Sequence, residues 1–588
     1  MTEFLSKLAH CGILQPIDLS FAHMLAGLSP KHPEEIALAG ALCSAATRGG
    51  QTCLALSALA GSQPKDEQGQ PLDDGVFPKI EEWVGALRST GCVSCGGPPA
   101  PLVLDPENRL YLYKMWRAQA DVAQGLKELA SQPQDDGGPA LEEVIDRFVP
   151  TNWATPMQRE AVRAVATKRL TVITGGPGTG KTTTLVRALL LLLHRDNQRG
   201  LRPRRVLLLA PTGKAALRMT QAVDQALGGL ARDGFDVALR ERLSPRASTV
   251  HRTLSEAWSS GLLAADVVAV DEASMLDLAL FARLLRAMPR KATLVLIGDA
   301  HQLASVEAGS VLCDIARAAE AIGEGADIRS CVVELQQPHR FAGQGGIGAL
   351  AQAVRMGDSN KAFEVLQAGG QARFHDAQSL GTEGLVVKLL ESHLEAYANA
   401  QDPIERLERL DKMRVLCAHR RGPASCQSVG RAIEKTLAEK FGMPMPGPWY
   451  NGRPVLVRSN DPRLDLSNGE VGVVHTVGQR VSIVFRGHKG ARSLAPTQIR
   501  DYETTYAMTV HKAQGSEYEE VIVVLPSQAS KIVSRELLYT AVTRARIGVH
   551  LVSPASVIRA ACAARVSRAS GLADMLMTPA ARRKDLGA

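Results

Sequence analysis

Residues 150–555 repeat one pattern: a short unbroken apolar run, a polar cluster, then a helical stretch. Residues 170–174 (LTVIT) have no charged interruption and read as a buried strand. Residues 205–211 (RVLLLAP), 266–271 (DVVAVD) and 293–298 (TLVLIG) repeat the pattern. Uninterrupted apolar strands interleaved with helices predict an α/β core with a parallel sheet covered on both faces. Functional residues then belong at the carboxyl ends of the strands, where the polar clusters fall. A second series contains strands at 331–335, 414–418, 503–509 and 520–525, a helix over 535–546, and a last strand at 548–553. Between them, residues 446–500 lose the helical period and carry β-rich pieces (PVLVR, EVGVVHTV, RVSIVFRG) around an Asn468-Gly469 turn. This predicts a small β-barrel inserted in the second core.

Ahead of the cores, helical periodicity appears at 3–14 and 33–46, and residues 101–116 read as a two-strand turn leading into a helix. The polar, Pro- and Gly-containing stretch 131–139 marks a linker. The expected domains are therefore an α-rich unit at 1–130, a first core at 140–330, and a second core at 331–556 containing the insertion 446–500. A basic tail at 557–588 is expected to be a helix followed by a loose end.

At 588 residues the chain is too long for one core, which agrees with this division. No amino-terminal stretch has the form of a signal peptide, and the longest apolar run, 188–193, is far too short to cross a bilayer. A cytoplasmic location and no membrane partner are the expectation. The net charge of +8 is compatible with a nucleic-acid partner. The ten cysteines are scattered; Cys92 and Cys95 have metal-like spacing but no second pair, so they read as free thiols.

The chemistry starts at residues 171–184, TVITGGPGTGKTTT. A strand, a glycine-rich turn and a helix start frame the G-x-x-x-x-G-K-T pattern of a nucleoside-triphosphate loop. Gly175, Gly176, Pro177, Gly178, Thr179 and Gly180 can turn backbone amides around a phosphate chain, and the helix start at Lys181, Thr182 and Thr183 adds its dipole. Lys181 is a point charge for the β- and γ-phosphates, and the Thr182 hydroxyl is placed to ligate Mg2+. Asp271 and Glu272 follow an apolar strand: the first can hold magnesium, the second can orient and deprotonate the attacking water. Gln158 precedes the loop, and its carboxamide has the donor and acceptor to read an adenine edge.

The segments GGPGTGKT, APTGKAA, VDEASM, GDAHQLASVEAG, LQQPHRF, AMTVHKAQGSEY and LYTAVTRAR occur in this order. They resemble the motif series of superfamily 1 DNA helicases, and within these the RecD family, the alpha subunits of exodeoxyribonuclease V. The resemblance implies two RecA-like cores with an SH3-like barrel insertion, and ATP and Mg2+ as cofactors. It places Gln158 at adenine and Gln302 at the γ-phosphate, with Arg340 and Arg544 reaching from the second core as arginine fingers. Thr212, Lys214, Thr249, His251, Arg252, Thr509, His511 and Lys512 are the implied DNA contacts. One departure is Glu470 in Asn468-Gly469-Glu470, where relatives often carry Asp; the charge is unchanged. The implied activity is 5′-to-3′ unwinding at double-strand DNA ends in recombinational repair. The implied partners are single-stranded DNA and beta and gamma subunits. No additional acidic cluster would make a nuclease site, so any nuclease belongs to the complex. Stand-alone RecD-like helicases carry a longer amino-terminal region with helix-hairpin-helix repeats, so the subunit form is expected. An ATP-switch subunit with little turnover is the other alternative, disfavoured by the complete hydrolytic set.

Overall fold

The computed structural model describes residues 2–64, 71–72, 75–132, 141–151, 154–232, 246–257, 261–322, 327–336, 346–377, 381–461, 463–487, 490–566 and 568–577. In the amino-terminal unit, helices Thr2–His10, Pro16–Leu28, Pro33–Arg48 and Ile80–Arg88 pack on a four-stranded sheet. Its strands are β1 (Leu54–Ala55), β2 (Val93–Ser94), β3 (Leu102–Leu104) and β4 (Arg109–Leu112), in the order β1-β4-β3-β2. Helix Pro16–Leu28 escaped the sequence pattern because it is apolar on two faces. Ala22 and Leu25 are buried, while Ile17, Met24 and Leu28 are exposed.

The next helix, Tyr113–Ala130, is not part of this unit's core. Ala118, Val122, Ala123 and Leu126 pack in one cluster with Leu278, Phe281 and Leu284. The amino-terminal unit therefore ends near 112 instead of 130. An apolar stripe states that a helix is covered, not by which sheet.

The first core is a six-stranded, all-parallel sheet. Its strands are β5 (Leu170–Gly175), β6 (Val206–Ala210), β7 (Ser248–Thr249), β8 (Val267–Val270), β9 (Thr293–Gly298) and β10 (Val332–Leu335), ordered β10-β5-β9-β8-β6-β7. β5, β8 and β9 are buried along their whole length, as their unbroken apolar runs require. β10, expected in the second core, pairs with β5, Val332 opposite Val172. The chain leaves the first core after residue 335, not before 331.

The second core contains β11 (Ala372–His375) and β12 (Met413–Cys417). The inserted strands follow: β13 (Pro454–Val457), β14 (Val471–Val477), β15 (Arg480–Gly487), β16 (Gly490–Leu494) and β17 (Tyr502–Thr504). The core resumes with β18 (Ala507–Thr509), β19 (Tyr518–Val524) and β20 (Ala545–Val552), giving a parallel sheet ordered β11-β20-β19-β12-β18. The single strand expected at 503–509 is thus two strands in two sheets. The chain changes sheets at buried Thr505, whose N–H donates to the Pro454 carbonyl and whose hydroxyl accepts from Arg414 Nη2 at 3.1 Å. The helix expected over 535–546 ends at Val542, and Arg544 falls in the turn before β20.

The insertion is an antiparallel sheet ordered β16-β15-β14-β13-β17 around Val455, Val474, Ile483 and Phe485. Among the described residues its edge strands do not pair, so the sheet is open where a closed barrel was expected.

The helix expected at the start of the carboxyl-terminal tail is present, and more of the tail is packed than the sequence predicts. Helix Ala555–Ala563 buries Val557, Ile558 and Ala561 in the second core. Residues 568–577 then cross to the first core, burying Leu572, Ala573 and Leu576 there. Along this strap Ser570 Oγ donates to Asp314 Oδ2 at 2.8 Å, and the Thr52 N–H donates to the Ala569 carbonyl at 3.0 Å. Residues 578–588 lie outside the described residues.

Candidate ATPase site and strand track

β5 delivers the chain to the glycine-rich loop at its carboxyl end. A Cβ on Gly175 would lie 2.6 Å from the Leu335 carbonyl of neighbouring β10, so only glycine fits there. Gly180 has φ 82° and is the residue from which helix Lys181–Gln198 starts. Pro177 and Gly178 form the turn between them, and Thr183 lies in the first helical turn. Thr179 is buried, and its hydroxyl closes the loop on the Gly176 carbonyl at 2.9 Å. Lys181 Nζ donates to the carbonyls of Gly175 at 2.7 Å and Gly176 at 2.8 Å. The ammonium thus lies across the mouth of the loop.

Gln158 is buried behind the same loop. Its Nε2 donates to the Thr179 carbonyl at 3.1 Å and its Oε1 accepts the Thr155 N–H at 3.0 Å, closing a capping box with the Thr155 hydroxyl. Here Gln158 braces the loop.

Asp271 follows β8 and faces the loop, with Oδ2 3.5 Å from Thr182 Oγ1. Burial, followed by repulsion from Glu272, pushes the Asp271 carboxyl up to about 6. Glu272 stands in the left-handed region at φ 51°, uncommon for a non-glycine residue, and its N–H donates to Asp271 Oδ1 at 2.9 Å. The pair is therefore held with one acid toward Thr182. Two hard oxygen donors beside a phosphate loop suit Mg2+, which would relieve the crowding of negative charge.

Gln302 is buried after β9, with Nε2 donating to Asp299 Oδ2 at 3.1 Å. Arg544 is 3% exposed, with Nε donating to the Thr540 carbonyl at 3.1 Å and Nη1 to the Ser516 carbonyl at 3.2 Å. Arg340 lies outside the described residues. The residues that sequence reasoning missed are those binding the two cores at this point. The Tyr539 hydroxyl donates to Asp299 Oδ2 at 2.9 Å, the Leu303 N–H to Thr540 Oγ1 at 2.9 Å, and Gln514 Nε2 to the Leu303 carbonyl at 2.8 Å. Asp299 and Tyr539 stood within quoted motifs, but nothing in the sequence paired them.

The expected strand contacts divide. Thr212 accepts the Ala215 N–H at 3.2 Å, and Thr249 accepts the Arg252 N–H at 3.2 Å, so both hydroxyls cap helix starts. Thr249 closes β7 opposite Ala210 of β6, and Thr212 follows two residues beyond that strand end. Lys214 reaches over the Tyr518 ring of the second core, 5.7 Å from its centroid. Thr509 closes β18, its hydroxyl accepting the Lys512 N–H at 3.4 Å, and Lys512 is ion-paired with Glu503. Arg252 is bonded to Glu256 at 2.8 Å on the surface. His251 instead lines a cavity of about 480 Å3 shared with the amino-terminal unit. His511 is pushed down by burial, and further by Arg568 of the strap. Cys92 is buried and Cys95 exposed, and both are free thiols.

Three family models match in chain order: the N-terminal domain of RecBCD enzyme subunit RecD over residues 10–111, an AAA domain over 154–377, and a UvrD-like helicase C-terminal domain over 504–552. The first ends where the amino-terminal unit ends. RecBCD enzyme subunit RecD of Mycolicibacterium smegmatis is 38% identical over 576 residues, covering 96% of this chain and 98% of that protein. The chain belongs to the RecD family. The Haemophilus influenzae RecD subunit is 28% identical, with 98% of this chain and 99% of that protein covered. For the ATP-dependent RecD2 DNA helicase of Deinococcus radiodurans, 29% identical, the match covers 75% of this chain but only 54% of that protein. Full-length correspondence therefore lies with the RecD subunits. No helix among the described residues is long and apolar enough to cross a membrane.

Proposed function

We propose that this RecD-family chain is the ATP-driven, 5′-to-3′ DNA-translocating subunit of a RecBCD-type exodeoxyribonuclease V. It acts in the cytoplasm on double-strand DNA ends, beside beta and gamma subunits. The observation that carries the mechanism is the convergence of two cores on one loop. Lys181, Thr182 and Asp271 come from the first core, and Tyr539 of the second core bonds Asp299 beside them. Arg544, bonded to carbonyls of its own core, would turn toward the phosphates when the cores close.

ATP is held with its phosphates over Gly175–Thr183, where Lys181 exchanges its carbonyl partners for the β- and γ-phosphates. Thr182 and Asp271 would hold Mg2+, which when bound supplies charge neutralisation between the phosphates. Glu272 orients the water and takes its proton. Gln302 turns from Asp299 to the γ-phosphate. Arg544, with Arg340 as its partner, neutralises charge that develops as the γ-phosphoryl group transfers, and acts only when the cores close. The strand runs across both cores past Thr212, Lys214, Thr249, Arg252, Thr509 and Lys512, with His251 and His511 at its margins. Such a track needs hydroxyls and cations along the backbone.

The match of residues 10–111 to the N-terminal domain of RecBCD enzyme subunit RecD, and 38% identity to a RecD subunit against 29% to RecD2, favour a complex subunit over a stand-alone helicase. The test is unwinding of partial duplexes with a 5′ or a 3′ overhang, with and without beta and gamma subunits, alongside ATPase with single-stranded DNA. Unwinding confined to the 5′ overhang, with DNA-stimulated ATPase, is expected. An ATPase indifferent to DNA would leave only the switch reading.

A further inference from the structure

We propose that Tyr539 is a positioning residue: through Asp299 it sets the direction of the Gln302 carboxamide and so makes hydrolysis depend on where the second core sits. The inference rests on the proposed role of Gln302 at the γ-phosphate.

The geometry is specific. Asp299, at the end of β9, is 1% exposed. Its Oδ1 accepts the His301 N–H at 3.0 Å from its own turn. Its Oδ2 accepts two donors, Gln302 Nε2 at 3.1 Å and the Tyr539 hydroxyl at 2.9 Å. The first donor belongs to the first core and the second to helix Arg535–Val542 of the second. A buried carboxylate holds its remaining donors harder as each is withdrawn, because no water replaces the lost partner. The hydroxyl of Tyr539 and the carboxamide of Gln302 therefore share one oxygen, and each weakens the other's hold on it.

The backbone beside Gln302 is governed from the same side. Leu303 gives its N–H to Thr540 and its carbonyl to Gln514, both of the second core. Tyr539 also stands beside the phosphate loop: a Cβ placed on Gly176 would lie 3.2 Å from its hydroxyl. One phenol thus lies beside the loop, bonds the buried acid and, through that acid, faces Gln302. With the second core seated, Asp299 is satisfied by Tyr539 and can release Gln302 to the phosphate. With the second core displaced, Asp299 retains Gln302 and hydrolysis stalls. The strand, bound across both cores, would set which arrangement prevails.

The test is a double-mutant cycle in the full chain with its partner subunits, read as ATPase at saturating single-stranded DNA. Tyr539→Phe keeps the ring and removes only the hydroxyl. It is expected to lower DNA-stimulated kcat by about tenfold, the scale of one hydrogen bond to a charged group. KM for ATP should stay within about threefold, because the loop itself is intact. In a Gln302→Ala background the same substitution should change kcat by less than about twofold, since nothing remains to be positioned. Losses that multiply in the double variant, or a rise in KM with kcat preserved, would overturn the role of Tyr539. If the unaltered protein showed no DNA-stimulated turnover, the helicase reading itself would fall, and this inference with it.

Discussion

The two cores are built alike and equipped differently. Each is a parallel sheet, and the two cores are bonded to each other where Tyr539 meets Asp299 and Gln514 meets Leu303. In the first core the strand ends carry a complete phosphate site: the glycine loop, Lys181, and an acid 3.5 Å from Thr182. In the second core they carry groups whose polar atoms are already committed, Tyr539 and Gln514 to the first core and Arg544 to carbonyls of its own core. In the proposed mechanism binding chemistry is thus local to one sheet, whereas turnover is conditional on the other. A motor needs this division, because a site complete within one core would hydrolyse ATP without reference to the strand.

The most severe way to break the comparison is at the first core. Lys181→Gln removes the point charge facing the β- and γ-phosphates and should lower DNA-stimulated ATPase by at least about 1,000-fold. The thermal midpoint should hold, because among the described residues Lys181 bonds to loop carbonyls. Unwinding at the unaltered rate would remove the phosphate site from the mechanism.

The second core should respond in another parameter. Arg544→Ala is expected to lose about 10³-fold in turnover, the lower range for an arginine finger. ATP affinity should stay within about tenfold, or 1.4 kcal/mol. Fluorescent nucleotide binding beside steady-state ATPase separates the two. Poor binding with normal turnover would make Arg544 a ground-state ligand and erase the distinction between the cores. Arg544 is also a buried donor to two carbonyls, so some loss of stability accompanies the substitution.

The smallest effect sharpens the picture at the strap that returns from the second core to the first. Burial pushes Asp314 up to about 6, against the opposing hydrogen bond from Ser570. A carboxyl raised in the folded state favours folding fully below its unfolded pKa, near 4, and loses that contribution as pH rises through 6. Asp314→Asn should therefore be more stable than the unaltered protein at pH 8, by about 2–3 kcal/mol at most. The advantage should vanish toward pH 4. Thermal midpoints across that range are the measurement, and an unchanged difference between the two pH values would show that Asp314 ionises as freely as a surface acid.

The sequence by itself determined whatever is local. A buried strand in a parallel sheet must be apolar throughout, so β5, β6, β8 and β9 could be read from their runs. A phosphate loop needs glycines, a lysine and a hydroxyl at fixed spacing, so Gly175–Thr182 and the Asp271–Glu272 pair could be read as chemistry. The tertiary structure decided whatever depends on the partner of a surface. Val332–Leu335 is as apolar as any second-core strand, and only its pairing with β5 assigns it to the first. Helix Tyr113–Ala130 and the strap at 568–577 bury stripes that would fit several neighbours. Thr505 divides the stretch 503–509 between two sheets because of the groups around it, not because of a breaker residue. The meeting of Asp299, Gln302 and Tyr539 spans some 240 positions of chain. Periodicity reports that a residue is covered, and spacing reports nearby chemistry. Which two distant groups share one buried oxygen is fixed only when the cores pack.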